Sequence, residues 1–123
     1  MQDFRNFSVW KKAHALTLLL YKNTSKFPKD ELFGLTSQIR RCSASIGANI
    51  AEGSGRKGHA EFHRFLQIAT GSANELEYHL ILSRDLGFLN EAEHAELSSR
   101  CIEVRRMLLS LINRVNEQRA VSK

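Results

Sequence analysis

The feature that most constrains the fold is an apolar spacing of three and four residues, which recurs in four successive segments. It is clearest in the last segment, where the intervals are 4, 3, 4, 3 and 4. The residues there are Leu97, Cys101, Val104, Leu108, Leu111 and Val115, and Ile102, Leu109 and Ile112 widen the stripe. This spacing lines one face of an α-helix. No segment alternates clearly with the period of two that marks a strand, so the sequence predicts an all-α fold.

The sequence also marks where the helices begin and end. Pro28 ends the first helix because proline cannot continue one, Asp30 caps the second, and Asn90 with Glu93 forms a capping box for the fourth. We predict helices over residues 8–25, 30–53, 58–87 and 90–118. Connections of about 3 to 5 residues place consecutive helices antiparallel. Residues 1–123 therefore form one domain, an up-down-up-down four-helix bundle.

The first three helices each carry a core line of the same kind. In the first helix, which Ser8 is expected to cap, the line is Val9, Ala13, Leu16 and Leu20. In the second helix it is Leu32, Leu35, Ile39, Cys42, Ile46 and Ile50. In the third helix it is Phe62, Leu66, Ala69, Ala73, Leu76 and Leu80. These side chains are the predicted core.

Composition argues against several classes of protein. The apolar run from Leu16 to Tyr21 is much shorter than the roughly 20 residues of a membrane span, and the first residues lack the apolar core of a signal peptide. Cys42 and Cys101 are too far apart for a metal-binding pair and too few for a disulfide framework. We expect a cytoplasmic protein without a membrane segment, whose cysteines are buried free thiols.

The middle of the second helix has no charged residue from Cys42 to Ala51, although an outer helix of a bundle normally shows water a charged stripe. Gly47 and Gly71 each cost about 1 kcal/mol relative to alanine in a helix, so a packing reason is expected at both. We interpret the small and apolar outer faces of the second and third helices as contacts between copies of the chain. The predicted contact residues are Ala44, Gly47, Ala51, Ile68 and Gly71. Tight packing within one bundle is the alternative.

A polar line flanks the core on the second helix, within about 80° of arc. Its residues are Gln38, Arg41, Ser45, Asn49 and Glu52. Polar groups at the edge of a core need hydrogen-bond partners, and Glu75 and Glu77 of the third helix are the candidate partners of Arg41. We favour a polar seam that fixes helix register or a subunit contact over a catalytic role for this line.

The sequence shows no recognisable active site. His59 and His63 have the i, i+4 spacing of metal ligands but no identifiable third ligand. A di-iron bundle needs the Glu-x-x-His motif on two helices, and only Glu91 to His94 matches it. The segment 53–58 lacks the strand and the GK[ST] end of a P-loop. We therefore predict no enzymatic activity, no bound metal and no cofactor, with a metal-dependent enzyme as a weak rival.

The chain is basic, with a net charge of +5, and the excess lies in its first half. Residues 1–29 carry six basic and one acidic side chain, and residues 36–72 carry five and two. The predicted phosphate-binding residues are Arg40, Arg56, Lys57, His63 and Arg64, which we place at one end of the bundle beside the N-terminus of the third helix. Contacts to phosphates are salt-sensitive and tolerant of sequence. No aromatic platform for base stacking is recognisable, and a merely solvated turn is the alternative.

Two runs are specific enough to compare with known families. They read FPKDELFGLTSQIRRCSASIGANIAEGSGR and FHRFLQIATGSANELEYHL. The chain resembles, over about residues 7–115, the bacterial four-helix-bundle proteins that are encoded in intervening sequences of large-subunit ribosomal RNA genes. That family also includes the accessory variability determinant of diversity-generating retroelements.

The resemblance implies a homopentamer of bundles, a barrel with a basic central pore. In the retroelement branch it implies a ring that binds nucleic acid and a reverse transcriptase and supports mutagenic reverse transcription. We hypothesise a non-enzymatic, oligomeric accessory or scaffold whose partners are copies of itself, RNA or DNA, and, in that branch, a reverse transcriptase. A protein-interaction ring without a nucleic-acid role is the alternative.

Overall fold

The computed structural model describes residues 3–122. It contains four helices, α1 (Ser8–Thr24), α2 (Leu35–Ser54), α3 (His59–Asp85) and α4 (Glu91–Ser122), and short 3-10 turns at Phe4–Asn6 and Lys29–Glu31. No strand occurs within these described residues. The prediction of an all-helical protein with four helices is confirmed.

Each helix packs against the helices that precede and follow it in the chain, and α1 also packs against α4. The pairs α1 with α3 and α2 with α4 lie on the diagonals of the bundle, across the core to which all four helices contribute. The α2–α3 and α3–α4 connections span residues 55–58 and 86–90, within the predicted range. The α1–α2 connection is longer, residues 25–34, because it includes the second 3-10 turn.

The predicted core lines are confirmed except at Leu32. The line residues of α1, α3 and α4 are all buried, as are the α2 residues from Leu35 to Ile50 on that line. Of the residues expected to widen the α4 stripe, Ile112 is buried, Ile102 is half-buried and Leu109 is exposed. Leu32 is 50% exposed because it precedes α2, and Leu109 is 47% exposed because it lies at the outer edge of the broad face of α4. Phe27 and Leu89, which come from the connections, complete the core.

The predicted start of the second helix at residue 30 is wrong. Asp30 and Glu31 belong to the 3-10 turn, and α2 begins at Leu35, after Gly34. The acceptor for the first turn is the Glu31 carboxylate, whose Oε1 accepts a hydrogen bond from the Leu35 backbone N–H at 3.1 Å. A Cβ on Gly34 would lie 2.9 Å from that same oxygen. The glycine therefore leaves room for a side-chain cap four residues before the helix.

The other helix ends follow the sequence more closely. In the capping box of α4, the Asn90 N–H donates to Glu93 Oε1 at 2.9 Å and the Glu93 N–H donates to Asn90 Oδ1 at 2.7 Å. The predicted cap at Ser8 is wrong, because Ser8 is the first helical residue and Phe7 precedes it without a side-chain cap. None of the described helices is long and apolar enough to cross a membrane.

Candidate nucleic-acid interface

The structure does not bring the five predicted phosphate-binding residues together. Arg40 lies in the first half of α2, about 20 Å along the helix axis from the α2–α3 turn. There its Nε donates to Thr24 Oγ1 at 3.0 Å and its Nη2 donates to the Tyr21 carbonyl oxygen at 3.3 Å. Its guanidinium lies 4.7 Å from the centre of the Tyr21 ring. Arg40 is therefore held against the end of α1, at the opposite end of α2 from the other four residues.

The α2–α3 turn places two arginines on one aromatic ring. The guanidinium carbons of Arg56 and Arg64 lie 5.2 and 4.5 Å from the centre of the Phe65 ring. Each arginine also pairs with a glutamate, Arg56 with Glu52 at 3.5 Å and Arg64 with Glu61 at 3.1 Å. The glutamates compensate both arginine charges, so this turn is less basic than its sequence indicates.

The Arg64 pair is electrostatically coupled but exposed. The hydrogen bond from Arg64 lowers the pKa of the Glu61 carboxyl, and the same bond raises the pKa of Arg64. Exposed pairs of this kind contribute little to stability. Lys57 is exposed and has no ion-pair partner among residues 3–122, and His63 is half-buried on the next turn of α3. A phosphate can therefore compete for this turn, but only Lys57 offers an uncompensated charge.

A second basic surface lies at the other end of α2, in an open groove of about 410 Å³. We call it the Tyr21–Arg41 groove; it is lined by Tyr21, Leu32, Phe33, Thr36, Ser37, Arg40 and Arg41. Phe33 is 93% exposed and Tyr21 is 44% exposed. No carboxylate lines this groove. The groove thus combines two arginines with two exposed aromatic rings, a platform that the sequence analysis did not recognise.

The polar seam exists in part, with different partners from those predicted. Ser45 and Ser72 share a hydrogen bond of 2.9 Å that joins α2 to α3. The Asn49 side-chain amide donates to the Ser45 carbonyl and hydroxyl oxygens at 2.8 and 2.9 Å. Half-buried Ser45 and Asn49 therefore satisfy one another and connect two helices.

The expected pairing of Arg41 with Glu75 or Glu77 is wrong. Arg41 donates to Gln38 on its own helix. Glu75 pairs with His79 at 3.0 Å on α3, and Glu77 pairs with Arg105 of α4. The two glutamates point towards different neighbours because residues two apart in a helix lie about 200° apart around its axis.

The predicted oligomer-contact residues all lie at least partly at the surface, and one of them has a neighbour within the chain. A Cβ on Gly47 would lie 3.4 Å from Trp10 Nε1, an ordinary van der Waals distance, so the Trp10 indole packs near this glycine without requiring it. Ala44, Ala51, Ile68 and Gly71 keep at least part of their surface exposed, and a Cβ on Gly71 would meet no atom within 4 Å. These four residues remain free to contact another copy.

Comparison with known proteins gives a family and a fold. A model of the 23S rRNA-intervening sequence protein family matches residues 5–110. Six solved chains match, among them the 1.70 Å crystal structure of a protein with unknown function from the S23 ribosomal protein family of Bacteroides thetaiotaomicron. That structure has a TM-score of 0.77 and 29% sequence identity, and the alignment covers 85% of this chain and 97% of that one. No curated protein matches the chain.

Proposed function

We propose that this chain, which belongs to the 23S rRNA-intervening sequence protein family, is a non-enzymatic, self-assembling scaffold that binds single-stranded nucleic acid. Phosphates bind to arginine and lysine side chains, and bases stack on exposed aromatic rings. The protein acts in the cytoplasm as an accessory to other nucleic-acid-binding components.

The Tyr21–Arg41 groove is the observation that carries this proposal. A phenylalanine with 93% of its surface exposed leaves a large apolar ring in water, and stacking of a base on such a ring contributes about 1–3 kcal/mol. Two arginines line the same groove and no carboxylate does. This combination of positive charge and aromatic faces is complementary to a single strand, whose bases are unpaired and whose backbone is anionic.

The two arginines of the groove have different roles. Arg40 is oriented by Thr24 and by the carbonyl of Tyr21, so its guanidinium is positioned before a ligand arrives. Arg41 is exposed, and its hydrogen bond is to the neutral Gln38. Its charge is therefore available to a phosphate without the loss of an ion pair.

Self-assembly would bring several such grooves into one particle. Exposed Ile68 and Tyr78 on α3, with the open surface at Gly71, offer an apolar face for a second copy. A homopentameric ring is the form that the sequence resemblance implies, and its basic surfaces would attract a polyanion more strongly than one chain does. An accessory role beside a reverse transcriptase is the more specific version of this proposal.

The test is fluorescence anisotropy with a labelled single-stranded oligonucleotide over a salt series. Phe33→Ala should weaken binding about tenfold because the stacking platform is lost. Arg41→Gln should weaken binding and reduce the salt slope by about 0.7, the value for one phosphate contact on a single strand. Arg100→Gln is the matched control, since Arg100 is an exposed arginine of α4 outside the groove.

Absence of binding by the wild-type protein even at about 50 mM salt would reject the nucleic-acid role. Equal affinities of Phe33→Ala and Arg100→Gln would reject the groove as its site. Light scattering on the same samples distinguishes the proposal from its alternative. A protein that forms an oligomer but binds no oligonucleotide would be a protein-interaction ring without a nucleic-acid role. An unchanged mass for Phe33→Ala shows that a lost affinity is not caused by lost assembly.

A further inference from the structure

The structure brings three side chains with metal-ligating atoms together between α2 and α3. Cys42 comes from α2, and Glu75 and His79 come from successive turns of α3. One ligating atom from each residue lies within 4.8 Å of the others. His79 Nε2 and Glu75 Oε2 are already in contact at 3.0 Å. No other such group of three occurs in the part of the chain that the structure describes.

The three atoms form a donor set that is typical of zinc. Zn²⁺ binds thiolate, imidazole and carboxylate in tetrahedral sites, with bonds of about 2.0–2.3 Å. Such bonds separate the ligand atoms by about 3.3–3.8 Å, so side-chain shifts of about 1 Å close the present cluster around an ion. Three protein ligands leave a fourth position for water, and Glu75, which is 43% exposed, leaves a path for the ion from solvent.

A second observation points to the same place. The His79 side chain is only 14% exposed, and its Nδ1 is buried without a hydrogen-bond partner among the described residues. A buried polar atom without a partner is destabilising and calls for a structural explanation. Coordination of an ion by Nδ1 would supply the missing partner.

The same cluster is poorly suited to nucleophilic catalysis. Burial, with a further contribution from the Glu75 charge, raises the pKa of the Cys42 thiol to about 12. A thiol in such surroundings is inert because the thiolate is the reactive form. A divalent cation supplies the positive charge that makes the thiolate stable, and the thiol proton leaves to solvent when the metal binds.

We propose that Cys42, Glu75 and His79 form a Zn²⁺ site between α2 and α3, with water as the fourth ligand. The site is independent of the Tyr21–Arg41 groove and of the proposed nucleic-acid role. Its ion connects two helices that are otherwise joined at this level by packing and by the Ser45–Ser72 hydrogen bond.

The test uses the full-length, metal-free protein titrated with Co²⁺, followed by competition with Zn²⁺. The expected result is one Co²⁺ per chain, with a thiolate-to-cobalt charge-transfer band in the near ultraviolet and tetrahedral d–d bands in the visible. Cys42→Ser should remove the charge-transfer band. Glu75→Gln should keep the band and bind at least tenfold more weakly.

Two matched controls separate the site from general properties of the fold. Cys101→Ser removes the other buried thiol, and His94→Gln removes the other histidine with a buried, unpartnered ring nitrogen. Both should keep the band and the affinity of the wild-type protein.

A wild-type protein without the charge-transfer band overturns the proposal. An unchanged band in Cys42→Ser, or an equal loss of binding in Cys101→Ser, also overturns it. If Cys42→Ser fails to fold, Glu75→Gln decides, because Glu75 lies at the partly exposed edge of the cluster. Wild-type affinity in Glu75→Gln then rejects the site.

Discussion

α3 forms one seam with α2 and another with α4. Each seam buries a cysteine, but the polar groups around the two thiols differ. The α2–α3 seam buries Cys42, and the α3–α4 seam buries Cys101. Burial raises the pKa of each thiol to about 12. Cys101 donates to the Ala73 carbonyl oxygen at 3.3 Å. Cys42 donates to the Ile39 carbonyl oxygen of its own helix at 3.6 Å, and it also lies beside a glutamate and a histidine that has an unpartnered ring nitrogen.

The polar groups of the two seams also sit at different depths. In the α3–α4 seam, Arg105 reaches from α4 to Glu77 and Asn74 at the edge, with about a quarter of the Arg105 and Glu77 side chains exposed. In the α2–α3 seam, a buried thiol, a nearly buried imidazole and the Ser45–Ser72 hydrogen bond lie nearer the core. Both cysteines are buried, but Cys101 is a packing residue and Cys42 is a candidate metal ligand. They differ because different side chains of the neighbouring helix surround each thiol.

Raising the pH tests whether the folded chain protects the two thiols equally. Of the changes considered, it should lower the free energy of unfolding the most. Folding raises the pKa of each thiol from an ordinary value of 9.0 to about 12, so the folded chain retains the proton more strongly than the unfolded chain. The stability that each protonated thiol gives the folded chain is fully present below about pH 9, and it is lost as the pH rises towards 12. Each thiol should lower the free energy of unfolding by about 1.4 kcal/mol per pH unit above 9.

Urea unfolding of the metal-free protein at pH 8 and 10 measures this loss. Cys42→Ala and Cys101→Ala should each remove part of the pH dependence, and the part that both variants keep comes from groups other than these thiols. If either variant keeps the full pH dependence of the wild-type protein, folding does not raise the pKa of the cysteine that this variant lacks.

A methyl group at Gly53 tests how closely α2 and α3 approach. A Cβ there would lie 2.7 Å from the Cβ of Phe65 and 3.0 Å from the Phe62 ring. Gly53→Ala should destabilise the fold by about 1–3 kcal/mol because the two helices must move apart. Denaturant unfolding at fixed protein concentration measures the change.

Gly71→Ala is the matched control on α3. The added Cβ meets nothing within 4 Å, so the better helix propensity of alanine should stabilise the chain by up to about 1 kcal/mol. Opposite signs for the two variants confirm the packing difference. A destabilised Gly71→Ala protein that also loses oligomer mass would indicate that a second copy covers this position.

Arg105→Ala tests the edge of the α3–α4 seam. It removes the partner of both Glu77 and Asn74, and we expect a loss of about 1 kcal/mol. Arg100→Ala, which removes an exposed i, i+4 pair with Glu96, should cost no more than about 0.5 kcal/mol. Thermal unfolding of the two variants should rank them in this order, and equal losses would contradict a structural role for the Arg105 pair.

The Ser45–Ser72 hydrogen bond should give the smallest effect of the four. A double-mutant cycle with Ser45→Ala and Ser72→Ala should yield a coupling energy of about 0.5–1 kcal/mol. A coupling of zero would mean that the two hydroxyl groups, 2.9 Å apart, contribute nothing jointly to the α2–α3 seam.

Most of the bundle was predictable from residue order. The core lines of α1, α3 and α4 and the capping box at Asn90 follow from local spacing, because a helix repeats every 3.6 residues whatever it packs against. The start of α2 was not predictable in this way. Asp30 and Glu31 are typical of a helix N-terminus, but the chain forms a 3-10 turn and uses Glu31 to cap a helix that begins four residues later.

The candidate sites depended more strongly on the fold. Phe33 lies in the segment that the sequence analysis assigned to the second helix, and the structure places it in the turn before α2, where its exposed ring lines the same groove as Arg40 and Arg41. The Glu75–His79 spacing is visible in the sequence, but the third member of that cluster is not. Arg40 and Arg56 are both on or next to α2, yet the helix length separates them.

Residue order alone establishes that this chain forms four amphipathic helices around one apolar core, since periodicity, capping and helix stops are properties of short segments. The meeting of side chains from different helices depends on how each helix is rotated about its axis and shifted along it. Many contacts between residues far apart in the sequence determine that arrangement together. Cys42 and Glu75 are separated by 33 positions, and Trp10 and Gly47 by 37. Such residues come into contact only once the helices have packed, so the cluster at Cys42 and the packing of Trp10 near Gly47 are properties of the folded bundle.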